Sequence, residues 1–86
     1  MVNLLKLRPA ITFHPVAVAG SPEPGSFLAF SDTRLVAVVI CRAGAQRSAA
    51  TWFVEAGFGP CAEAANWFFD TAQEAQDWVR EACGTA

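Results

Sequence analysis

Leu35-Val36-Ala37-Val38-Val39-Ile40-Cys41-Arg42-Ala43-Gly44-Ala45-Gln46-Arg47-Ser48 is the stretch that decides how this chain folds. Its first seven residues are apolar without interruption and include several β-branched side chains, the composition of a buried strand. The Gly, Ala and Ser that follow read as a loop. Thr51-Trp52-Phe53-Val54-Glu55-Ala56 then supplies β-branched and aromatic residues for a returning strand. Two strands joined this way are antiparallel neighbours, and the rest of the chain must be arranged around them.

Upstream, residues 27–30 pair with 35–41 as a hairpin. Its turn is Ser31-Asp32-Thr33-Arg34, where the Asp32 side chain can cap its own turn. Ser21-Pro22-Glu23-Pro24-Gly25 excludes regular structure and is a loop. Residues 2–8 and 10–13 read as short strands. Downstream, Gly57-Phe58-Gly59-Pro60 ends the returning strand, residues 61–66 form a short helical turn, and 67–69 a short extended piece.

The clearest element is the last. Thr71 with Glu74 makes a Thr-x-x-Glu capping box. Ala72, Ala75, Trp78, Val79 and Ala82 recur at helical spacing, and Gly84 suits the position just beyond the helix end. Trp78 is the expected main anchor of this helix on the sheet. The expected architecture is a single α+β domain over residues 1–86. It comprises a small antiparallel sheet of three to five strands, packed by a C-terminal amphipathic helix.

A strand that is apolar at every position needs cover on both faces. The C-terminal helix supplies one. The other falls to the N-terminal segment, to the short helix around 61–66, to a second subunit or to a target protein. Phe27, Phe30, Trp52, Phe53, Phe58, Trp67, Phe68 and Phe69 add aromatic area beyond what one small core absorbs, and an exposed remainder marks an interaction surface.

The chain has 86 residues, 53% hydrophobic and 16% charged, which places it above the range of disordered sequences and allows one modest core. The longest purely apolar run is residues 35–41, too short to span a membrane, and no secretory leader is evident, so a cytoplasmic protein is expected. Cys41, Cys61 and Cys83 are odd in number and widely spaced. That is no disulfide framework, and without a Cys-x-x-Cys knuckle they and His14 are not a zinc site. Reduced thiols acting as small hydrophobes are expected, with no metal and no cofactor.

The net charge of −2 is unevenly placed. Residues 1–48 carry Lys6, Arg8, Arg34, Arg42 and Arg47 against Glu23 and Asp32. Residues 49–86 carry Arg80 against Glu55, Glu63, Asp70, Glu74, Asp77 and Glu81. The acidic half argues against direct nucleic-acid binding and for a basic protein partner. Glu74, Asp77 and Glu81 fall on one side of the last helix, with Asp70 just before it. These four are the candidate partner-binding residues.

Cys41-x-x-Gly44-x-x-Arg47-Ser48 resembles the phosphate-binding loop of cysteine-dependent protein phosphatases and, less closely, the loop of rhodanese-type sulfurtransferases. The resemblance implies Cys41 as nucleophile, Arg47 as oxyanion clamp and Ser48 as an assisting hydroxyl, with a helix after the loop. This sequence has Ile40 where the phosphatase pattern has histidine, and residues 51–54 favour a strand where the loop requires a helix. Enzymatic use of Cys41 and Arg47 is therefore the alternative reading.

In size and layout the chain resembles small phage and prophage proteins, anti-CRISPR inhibitors among them. That resemblance implies a non-enzymatic module that occupies a basic surface of a host complex through its acidic helix. A structural subunit whose aromatic surplus is buried in a homodimer is the third reading.

Overall fold

The computed structural model describes residues 9–43 and 50–84. Five strands form one antiparallel sheet in sequence order: β1 Ile11–Pro15, β2 Phe27–Ser31, β3 Arg34–Arg42, β4 Thr51–Gly57 and β5 Phe68–Phe69. A 3₁₀ helix, Gly59–Ala64, connects β4 towards β5, and α1, Ala72–Ala82, ends the fold. The expected α+β architecture is thus present, at the upper end of the expected strand count. The strand expected over 2–8 lies outside the described residues. No helix among them is long and apolar enough to cross a membrane.

The apolar run at 35–41 is the central strand. Its burial does not alternate cleanly, because two irregularities interrupt its ladders. Ala29 pairs with Ala37 and Phe30 with Leu35, leaving Val36 unpaired; on the other side Val38 pairs with Ala56 and Val39 with Val54, leaving Glu55 unpaired. Val36 and Ala37 are consequently both buried. The Val36 carbonyl accepts from the Phe58 amide at 2.8 Å, so this bulge receives the chain as it leaves β4.

The β2–β3 turn is tighter than the sequence suggests, with only Asp32 and Thr33 between the strands. Asp32 has φ of 57° and does not cap its own turn. Its amide donates to the Ala10 carbonyl at 2.8 Å and its carboxylate accepts from the Ala10 amide at 3.0 Å, tying the start of β1 to the hairpin.

Registers assign the faces. Phe13, Phe27, Ala29, Ala37, Val39, Cys41, Trp52, Val54 and Phe69 share one face by pairing across the strands. The 3₁₀ helix and α1 lie on this face, adding Cys61, Ala64, Ala75 and Val79 to a single core. The buried anchors of α1 are Ala75 and Val79. Trp78, expected to lead, is only partly buried and meets Trp67 edge-on at 5.2 Å between ring centroids. Thr71 caps α1 as the sequence predicts, its hydroxyl accepting from the Glu74 amide at 3.0 Å. Gly84 takes the left-handed conformation beyond the helix, with φ of 77°.

Among the described residues β1 is an edge strand. Val16 donates to Ser26 and Asp32 to Ala10, so the even-numbered residues of β1 point their backbone groups at β2. Pro9 and Pro15 therefore occupy outward-facing positions, where neither offers an N–H to a further strand.

Candidate functional site

Two surfaces and one buried thiol bear on function. The thiol is Cys41, at the end of β3 and 2% exposed. Its amide donates to the Ser26 hydroxyl at 2.9 Å and its carbonyl accepts from the Ser21 hydroxyl at 3.2 Å. Trp52 stands opposite it in the register and donates its indole N–H to the Gly25 carbonyl at 3.1 Å, closing the loop of residues 21–26 over this end of the core. Burial pushes the Cys41 thiol up from its usual value, and the nearby Glu23 charge pushes it the same way. Both effects oppose thiolate formation, whereas a nucleophilic cysteine needs its thiolate stabilised. Gly44, Arg47 and Ser48 lie outside the described residues. Thr51–Gly57 is a strand, as the sequence predicts.

The first surface is the acidic side of α1. Asp70, Glu74, Asp77 and Glu81 are all exposed. They are not equivalent. The Glu74 carboxylate accepts from the Asp70 amide at 3.2 Å, reaching one residue past the Thr71 cap, so the reciprocal half of the box is shifted by one position. The Asp77 carboxylate accepts from the Gln73 amide nitrogen at 2.8 Å and from the Arg80 guanidinium at 3.2 Å. Arg80 also lies 5.0 Å from the Phe13 ring centroid, so it reaches from α1 to β1. Glu81 borders a shallow hollow of about 300 Å³ with Pro60, Glu63, Trp78 and Ala82. Helix geometry therefore occupies Glu74 and Asp77 locally, a division of labour that charge spacing alone does not reveal.

The second surface is the other face of the sheet. Leu28, Phe30, Val38, Ile40, Phe53 and Phe68 share it by register. None of them belongs to the core cluster or packs against it, and none is buried. Phe68 is 61% exposed, an unusual state for a strand aromatic. An aromatic pair stands at each margin: His14 with Phe30, 5.1 Å between centroids, and Phe53 with Phe68, also 5.1 Å. Aliphatic side chains fill the centre. Among the described residues the charges on this face are the mutually paired Arg42 and Glu55, 3.5 Å apart. Among the described residues no helix lies on this face. The short helix expected at 61–66 is present but packs on the α1 side, so it does not cover this face; the N-terminal segment, also expected as cover, lies mostly outside the described residues. The unbroken apolar run at 35–41 is the sequence signal for this surface, but only the register shows which residues compose it.

No family model, curated protein or solved structure matches the chain.

Proposed function

We propose that this chain is a non-enzymatic protein-binding module that docks through its open sheet face. The observation that carries this reading is the apolar sheet face running from Phe30 to Phe68, which lies outside the core, carries no helix among the described residues and ends in the exposed Phe68. An apolar area rimmed by polar groups and left open on a small domain is the physical signature of an interaction site. The Arg42 and Glu55 charges at its margin neutralise one another, so the surface suits an apolar strip on the partner better than a charged one. The raised proton affinity of Cys41 and the strand at β4 both favour this reading over a phosphatase or sulfurtransferase loop.

A narrower second reading rests on the exposed carboxylates of α1. Asp70, Glu74, Asp77 and Glu81 would face basic residues of a nucleic-acid-handling complex, in the manner of a phage-type inhibitor. Within it Glu81 is the most informative residue, because no hydrogen bond among the described residues engages its carboxylate and reversal of its charge leaves the helix cap intact.

Site-specific photocrosslinking tests both. A photoreactive phenylalanine is placed at position 68 in one variant and at 81 in another. Adducts to a defined protein from position 68 alone support docking by the sheet face, and adducts joining two copies of this chain identify a homodimer. Adducts from position 81 alone, abolished by Asp77→Lys, transfer the function to the acidic helix. No adducts at position 68 would remove the sheet-face reading.

A further inference from the structure

The two surfaces differ in whether the chain can meet a copy of itself through them. Asp70, Glu74, Asp77 and Glu81 give the α1 side an exposed set of like charges, and two such surfaces repel one another. The open sheet face carries no such barrier. Among the described residues its charges are Arg42 and Glu55, which pair at 3.5 Å and cancel. The 3₁₀ helix and α1 pack on the opposite side of the sheet. Stacking two open faces therefore leaves both acidic helices on the outside of the pair.

The layout of the face suits a two-fold pairing. An aromatic pair stands at each margin, His14 with Phe30 and Phe53 with Phe68, each 5.1 Å between centroids, and aliphatic side chains lie between them. A two-fold axis in the contact plane and parallel to β3 sets aromatic margin on aromatic margin and aliphatic centre on aliphatic centre. It lays β5 of each copy over β1 and β2 of the other. The ring of Phe68, 61% exposed, then enters the margin where Leu28 and Phe30 are half-buried and does not meet its own counterpart. Five strands about 4.8 Å apart, at about 3.3 Å per residue along the seven residues of β4, give the face about 450 Å² in projection. Two copies together remove about 900 Å², close to the lower bound of about 1,000 Å² for a specific interface, so the pairing is weak and concentration-dependent.

We propose that the occupant of the open face is a second copy of this chain, stacked face to face as an isologous dimer. This rests on the docking reading and names its partner. The two sheets lie about 10 Å apart with their strands within about 30° of one another, the packing of a β-sandwich assembled from two chains. The side chains that meet are the apolar ones left out of each monomer's core, Val38 and Ile40 at the centre and Phe68 at the margin.

The experiment uses the purified whole chain. Sedimentation equilibrium from micromolar to millimolar concentration should show the average mass rising from one chain towards two and stopping there. Ile40→Lys should stay monomeric with its circular dichroism retained, and Glu81→Lys should dimerise like the wild type. The arrangement is read by placing a photoreactive phenylalanine at position 68 in an equal mixture of ordinary and nitrogen-15 chains. Trypsin cuts after Arg34, Arg42, Arg47 and Arg80, so β1 and β2 share one peptide, residues 7–34, while position 68 lies in another, residues 48–80. The expected adduct joins 48–80 of one isotope to 7–34 of the other. Adducts joining 48–80 to 48–80 would overturn this arrangement. A wild-type chain that stays monomeric throughout would overturn the dimer, and so would dissociation by Glu81→Lys and not by Ile40→Lys. A monomer that still forms adducts from position 68 to a different, defined protein loses the second copy as partner but keeps the docking face; a monomer with no adducts at all loses both.

Discussion

The Arg42 guanidinium lies 4.2 Å from the centroid of the Phe53 ring while its Nη2 sits 3.5 Å from the Glu55 carboxylate. One side chain of β3 thereby covers an aromatic ring and neutralises an acid of β4 at the margin of the open face. Both contacts are half exposed to solvent. An exposed cation–π contact contributes about 0.5–1 kcal/mol, and an exposed ion pair adds little. Arg42→Ala should therefore lower the unfolding free energy by about 1 kcal/mol in urea denaturation. A loss above about 3 kcal/mol would show that Arg42 supports the fold itself.

Val39 and Ile40 are adjacent but point to opposite faces. Val39 is fully buried in the core; Ile40 is not part of it. Val39→Lys should prevent folding, since it places an unpaired charge in the interior. Ile40→Lys should leave the far-ultraviolet circular dichroism nearly unchanged and cost far less stability, about 1 kcal/mol, because Ile40 is half-buried outside the core and a lysine stem can lie along the face with its ammonium in water. It should also abolish crosslinking from position 68. Equal loss of stability in both variants would mean that the second face is covered.

At Gly57 even a methyl group meets backbone, the carbonyl of Cys61, rather than a side chain able to move aside. Gly57→Ala should cost about 2 kcal/mol, within the range for overpacking. Gly20→Ala gives a useful contrast: its added Cβ meets nothing, and any cost comes from the φ of 85°. Comparison of the two urea midpoints separates crowding from backbone strain.

Burial, together with the neighbouring Cys83 thiol, pushes the Cys61 pKa from its ordinary value of 9.0 up to about 12. In the unfolded chain this thiol loses its proton near pH 9.0, whereas the folded chain keeps it to about 12. Stability from this group is complete below the lower value and is lost as pH rises between the two, by at most about 1.4 kcal/mol per pH unit. Thermal melts across the alkaline range should show this decline, and Cys61→Ala should flatten it. Cys41, shifted in the same direction, contributes with the same sign. An unchanged slope in Cys61→Ala would show that Cys61 is not the responsible group.

Where local chemistry decides structure, the sequence was readable. Thr71 and Glu74 mark the start of α1, Gly84 marks its end, and the apolar run at 35–41 marks the central strand. Position in space was harder to read. Asp32 bonds to Ala10, a residue 22 positions away, which no turn preference encodes. Val36 and Glu55 fall out of register, and the resulting bulges determine which side chains share a face. The open surface was anticipated as a need for cover, but its composition depends on those registers. The acidic stripe was visible as spacing, while the use of Glu74 in capping and of Asp77 in pairing with Gln73 and Arg80 emerged only from geometry. The complete burial of Cys61 depends on where the 3₁₀ helix sits, which no motif announces.

The two prolines framing β1 limit how any association can grow. A chain that adds its own strand to that edge finds only Ile11 and Phe13 presenting outward amides, too few to sustain a ladder. Growth by strand addition at that edge of the sheet is thereby disfavoured, whichever face a partner occupies. Every further copy added along this edge would meet the same two missing donors, while Phe58, Trp67 and Phe68 lie exposed elsewhere.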